Sequence, residues 1–166
     1  MNSEVPGMAL HEARMRQALR QAQRAAEADE VPVGAVIYNS GELAGQAWNQ
    51  TRTLKDPTAH AEMIAITQAA SAAGDWRLVD SILYVTKEPC PMCAGAIVLA
   101  RIPLVVWGMS DPQRGGAVSR FQILQTAELN HRSEVLAGVL EDECTALIRE
   151  FFKKRRLENR KGDGFE

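Results

Sequence analysis

From Leu10 to Ala28, Ala13, Met15, Ala18, Leu19, Ala22, Ala25 and Ala26 recur at near-helical spacing, while Arg14, Arg16, Arg20 and Arg24 fall on other faces. That pattern predicts an amphipathic first helix, spanning about residues 8–28. The next apolar stretch has a different period. Val31 to Asn39 is β-branched and apolar, Ser40-Gly41 supplies a turn, and Leu43 to Asn49 can return as a second strand, so a hairpin is expected. A polar loop, TRTLKDPT, leads to an Ala-rich run from Ala59 to Ala73 that keeps Met63 and Ile66 in helical register and stops at Gly74. Ser81 to Thr86 and Leu104 to Met109 read as buried strands, and the proline-initiated segment PCPMCAGAIVLAR between them reads as a helix. Residues Asp111 to Arg120 form a loop, Val135 to Leu140 a last strand, and Glu141 to about Arg160 a last helix, marked by Leu147, Ile148, Phe151 and Phe152.

Five strands alternating with helices predict a three-layer α/β/α fold: a central mixed five-stranded sheet, with crossovers and an antiparallel hairpin at one edge. The 166 residues suit one domain, 1–166, ending in a short flexible tail at 161–166. No apolar run approaches a membrane span and no secretory leader pattern is present, so the chain reads as cytoplasmic, without a membrane partner. A formal charge of −2, from 19 Lys+Arg and 21 Asp+Glu, argues against coating nucleic acid through bulk positive charge. The charge is unevenly spread. Arg149, Lys153, Lys154, Arg155, Arg156, Arg160 and Lys161 crowd the C-terminal end against only Glu150 and Glu158.

Two of the 3 cysteines, Cys90 and Cys93, stand at the start of a helix, which suits metal or redox chemistry better than a disulfide framework. Three apart on a first turn, their sulfurs can point to one side, and the positive helix end favours thiolates. His60, at the start of another helix, adds an imidazole. One nitrogen and two sulfurs suit Zn²⁺, one per subunit, and three protein ligands leave a tetrahedral position open for an activated water. Glu62, two residues after His60, is the candidate proton carrier, although a carboxylate there could also ligate the metal.

H-x-E followed by P-C-x-x-C is the signature of zinc-dependent deaminases. EVPVGAVI, Trp48-Asn49, DPTAHAE, LYVTKEPCPMCAGAI, Asn130-His131-Arg132, Asp142-Glu143-Cys144 and FFKKRR together resemble the bacterial tRNA adenosine deaminases, from about Glu30 to Arg156. The resemblance implies a cytidine-deaminase-like fold, a homodimer, and hydrolytic conversion of a wobble-position adenosine in a tRNA anticodon loop to inosine. It also implies Zn²⁺ on His60, Cys90 and Cys93, proton transfer by Glu62, and nucleotide contacts at Asn49 and Asp111. Lys87 and the loop Pro112 to Val118 depart from the family pattern.

Phe151 and Phe152 fit packing on the body, with Lys153, Arg155 and Arg156 then reaching RNA phosphates; a solvated helix face is the plainer alternative. Around Met92, Ile97, Val98 and Leu99 the choice is between core and dimer contact. Three rival readings stay open at this level. His131 or Cys144 could complete a closed structural zinc site. The substrate could be a free base or nucleoside such as guanine or cytidine. The chain could also be a non-catalytic RNA-binding subunit.

Overall fold

A computed structural model describes residues 6–162, with side chains to Arg160. Its elements are α1 (Met8–Glu27), β1 (Gly34–Asn39), β2 (Glu42–Trp48), α2 (Thr51–Leu54), α3 (Ala61–Ala73), β3 (Ser81–Lys87), α4 (Pro91–Leu99), β4 (Leu104–Met109), β5 (Glu134–Leu136) and α5 (Glu141–Gly162). The tail expected at 161–166 lies outside the described residues, except for the backbone of 161 and 162 within α5.

The strands form one mixed sheet in the order β2-β1-β3-β4-β5. β1 is antiparallel to β2 and β3, whereas β3, β4 and β5 run parallel. Ser40 and Gly41 both take positive φ, 50° and 85°, which gives the β1–β2 turn the twist that hairpins favour. Alternation along the strands divides two cores. Ala35, Ile37, Leu83, Val85, Val105 and Trp107 face α3 and α4. Val36, Tyr38, Tyr84 and Val106 face α1 and α5, together with Met15, Ala18 and Cys144. Central strands buried on both faces explain why their sequences read as unbroken apolar runs.

Two glycines set the helix-to-sheet spacing. A Cβ on Gly34 would stand 2.0 Å from the Ala18 carbonyl oxygen of α1, and one on Gly45 would stand 2.5 Å from that of Ala65 in α3. Both helices therefore rest directly on strand backbone.

Four details differ from the sequence expectation. The polar loop contains the short helix α2, ended by Lys55 at φ 52°. α3 begins at Ala61, because Asp56 accepts hydrogen bonds from the Thr58 amide and hydroxyl at 2.8 and 2.7 Å and holds the preceding residues in a turn. β5 stops at Leu136, since Gly138 turns the chain at φ 83° before Val139 rejoins β4 by donating to Trp107 O at 3.1 Å. In α1, Ala13 is exposed and Arg14 is buried. The Arg14 guanidinium lies 4.1 Å from the Tyr38 ring centroid and donates to the Tyr84 hydroxyl at 3.3 Å, so aromatic faces take the place of water.

The crossover from β3 to β4 uses α4, but β4 reaches β5 through residues 110–133 without a helix. Leu124 anchors that passage in the core, and Ser133 N donates to Leu124 O at 3.0 Å, closing the exposed excursion between them.

Candidate active site

His60 is the residue before α3 and keeps an extended backbone, with ψ at 152°. Cys90 has the same position before α4, with ψ at 171° and Pro91 opening the helix. α3 and α4 pack on the same face of the sheet, so the two helix starts converge. His60 Nδ1 lies 3.5 Å from both Cys90 Sγ and Cys93 Sγ. Tetrahedral zinc with the usual Zn–S and Zn–N bonds holds such atoms ~3.6 Å apart, so this donor set fits the ion in both chemistry and spacing.

The rival fourth ligands are elsewhere. His131 Nε2 donates to Ile102 O at 2.8 Å, and Cys144 is buried in the core on the opposite face of the sheet. Among the described residues, His60, Cys90 and Cys93 alone gather as a metal-ligating group, with ligand atoms within 4.8 Å of one another. Glu62 lies outside that group yet beside it.

Electrostatics separate these four side chains. Hydrogen bonds from Cys93, then from His60, outweigh burial and lower the Cys90 thiol to about 4. Cys93 is pushed up, first by the adjacent Cys90 sulfur and then by burial. The hydrogen bond with Cys90 raises His60. Glu62, 4% exposed, is raised chiefly by burial. One thiolate and one protonated thiol side by side, next to a carboxyl whose neutral form is favoured, make a proton-rich cluster that a cation would discharge.

Glu88, which sequence reasoning did not single out, organises the rim. Its buried carboxylate accepts from the Asp111, Val118 and Ser119 amides at 2.9, 3.0 and 2.9 Å, and from the Ser119 hydroxyl at 2.5 Å. Burial raises it, but these donors prevail and hold it below its ordinary value. The divergent loop is thereby drawn onto the start of α4: Gly116 N donates to Pro89 O at 2.8 Å, and a Cβ at Gly116 would stand 2.4 Å from Pro91 N. The only sequence signal for Glu88 was its place beside Pro89-Cys90.

Lys87, the other departure, forms an ion pair with Asp111. Asp111 also accepts from the Gln113 and Arg114 amides at 3.1 and 3.0 Å, and these contacts hold it below its ordinary value despite burial. Asn49 follows β2, is 7% exposed, and its main-chain N donates to Val33 O at 3.0 Å. Of the C-terminal basic residues, Lys153 and Arg156 are exposed, while Arg155 folds back to Asp29 at 2.8 Å. Ile97 and Val98 are core, whereas Leu99 is 69% exposed.

A MafB19-like deaminase family model matches residues 9–156. A tRNA-specific adenosine deaminase of Bacillus subtilis (strain 168) is 46% identical over 142 residues, covering 86% of this chain and 88% of the relative. The chain is a member of this deaminase family. A solved structure from work on A-to-I editing by tRNA:A34 deaminases at the wobble position matches the deaminase with a TM-score of 0.79 and 41% identity, covering 81% of this chain and 98% of that one. A guanine deaminase from Bacillus subtilis matches with a TM-score of 0.58 and 40% identity, but covers 60% of the deaminase and 64% of the other chain. The mixed five-stranded sheet flanked by helices is the fold these deaminases share.

Proposed function

We propose that this deaminase hydrolyses adenosine to inosine in tRNA, at the wobble position of an anticodon loop. The observation that carries the chemistry is the buried carboxyl of Glu62 beside a donor set of three, not four, residues. The substrate assignment draws on the tRNA-specific relatives, whose likeness runs through most of both chains, whereas the guanine deaminase likeness covers less of each.

His60, Cys90 and Cys93 would hold Zn²⁺, whose Lewis acidity makes water a nucleophile near neutral pH. Glu62 takes a proton from the attacking water and delivers it to N1 of adenine as C6 accepts the oxygen. It then carries a proton to the exocyclic nitrogen, which leaves as ammonia. Burial suits the carboxyl to this task by raising its affinity for a proton toward the working range of a general acid. Asn49, just past β2, offers its side-chain amide to the base. Asp111, fixed by Lys87, borders the site, and Lys153 and Arg156 extend basic charge for phosphates. An adenine stacked in a helix hides C6, so the base must come from a single-stranded loop. The reading includes a single-domain homodimer working on tRNA in the cytoplasm, and among the described residues no helix is long and apolar enough to cross a membrane.

Replacing Glu62 with alanine is expected to leave zinc content, measured by atomic absorption, unchanged while ammonia release falls at least about 10²-fold. Undiminished turnover would refute the assignment. Supplying free guanine, free cytidine and an anticodon stem-loop in parallel tests the substrate: only the stem-loop should react, with A-to-G changes at the wobble site in its cDNA.

A further inference from the structure

The turn that ends α1 carries an arrangement that the proposed chemistry does not use. Asp29 takes a left-handed conformation, φ 60°, and faces two arginines from distant parts of the chain. Its carboxylate accepts from Arg52 of α2 at 2.8 Å and pairs with Arg155 of α5 at 2.8 Å. Its backbone carbonyl accepts from the same two guanidiniums, at 2.9 and 3.0 Å. Each arginine is thus held by a carbonyl that cannot leave and by a carboxylate that can rotate away.

The surroundings are built rather than loose. Buried Glu30 accepts from the Thr53 amide and hydroxyl at 2.7 and 2.9 Å, locking α2 to the same turn. Gln50 N donates to Ala59 O at 2.9 Å, so the wall that carries Arg52 adjoins His60. Between α2 and α5 lies a groove of about 370 Å³, bordered by Val31, Arg52, Phe152, Arg155, Arg156 and Asn159. Phe152 is 42% exposed there. The Asp29 and Arg52 side chains are 61% and 59% exposed, and ion pairs this open to water add little stability. A phosphate offers the guanidinium forks the same two-oxygen geometry as a carboxylate.

The geometry points to Arg52 and Arg155 as a phosphate subsite for a nucleotide flanking the reacting adenosine, with Asp29 as the stand-in anion that RNA displaces and Phe152 as the stacking face for that nucleotide's base. This rests on RNA being the substrate. It adds Arg52 and Asp29 to the recognition surface, and returns Arg155, folded back onto Asp29, to the phosphate contact expected from the sequence.

The test is a salt titration of binding, in the zinc-loaded Glu62→Ala background so that no turnover intervenes, using a fluorescein-labelled RNA hairpin with adenosine in its single-stranded loop. Arg52→Gln should flatten the slope of log affinity against log salt by about 0.7, the value for one phosphate contact on single-stranded nucleic acid, while Arg52→Lys retains it. Asp29→Asn, which suits the left-handed position, should tighten binding about two- to fivefold at low salt, and Phe152→Ala should weaken it about tenfold. Slopes and affinities equal to those of the background protein, whatever the change in melting temperature, would overturn the subsite, and so would absence of RNA binding. Formation of inosine by the otherwise wild-type chain is scored separately. Shifted slopes without inosine would leave the subsite standing and reject the catalytic reading.

Discussion

Cys90 and Cys93 sit three positions apart, yet their sulfurs hold their protons with opposite tenacity. In metal-stripped protein the Cys90 sulfur, at about 4, is already a thiolate throughout the neutral range, whereas Cys93 and buried Cys144, the latter at about 12, are not. Alkylation by iodoacetamide, read by peptide mass spectrometry, should therefore fall on Cys90 at a rate nearly flat from pH 5.5 to 8. An ordinary thiol, titrating near ~8.5, would quicken about tenfold per pH unit over most of that span. Zinc should protect the site. The spacing of the two cysteines and the H-x-E pattern made this centre legible in the chain, because the start of a helix fixes where neighbouring side chains project. The Lys87–Asp111 pair was not legible: those residues are far apart in sequence and are brought together only by the parallel pairing that sets Lys87 beside Met109. Arg14 was misplaced for a related reason, since a helical period shows which residues share a face but not that Tyr38 and Tyr84 wait opposite an arginine.

Among the elements, helix docking depends on two missing methyl groups. Gly34→Ala would drive a Cβ into the α1 backbone and Gly45→Ala into that of α3, and main chain cannot rotate aside as a flexible side chain can. Each substitution should cost about 3 kcal/mol in urea unfolding, at the upper end for overpacking, while Gly95→Ala, with no atom near the new Cβ, should be neutral or raise stability by up to about 1 kcal/mol. Losses at Gly34 and Gly45 no larger than the change at Gly95 would show that the helices ride free of the strands. Most elements were readable because alternation and helical period are local properties. The end of β5 and the presence of α2 were not, since a glycine turn at 138 cuts the strand short and the carboxylate of Glu30, brought from a distant turn, stabilises the short helix.

For the molecule as a whole, acid should act first through Glu88. Its carboxyl is lower in the folded protein than its ordinary value, so its contribution is fully present above about pH 4.3 and is lost as pH falls through the folded value. Because that one group ties β3, the loop at 111–119 and the start of α4 together, thermal stability measured by circular dichroism should fall as the pH drops below about 4.3. Glu88→Gln should start about 3 kcal/mol lower at neutral pH, with amide donors left short of a charged acceptor, and show a shallower acid limb. Identical limbs would remove Glu88 from that role. The passage between Leu124 and Ser133 is different in kind. Its two ends are already clasped by their own amide-to-carbonyl bond, and most of what lies between is solvated. Foreign residues spliced near Ala127 would enlarge only a sealed bight of chain, at about 0.6 kcal/mol for each doubling of its length. The molecule thus has a natural graft point for a tag or a tether on which neither the sheet nor the chemistry depends.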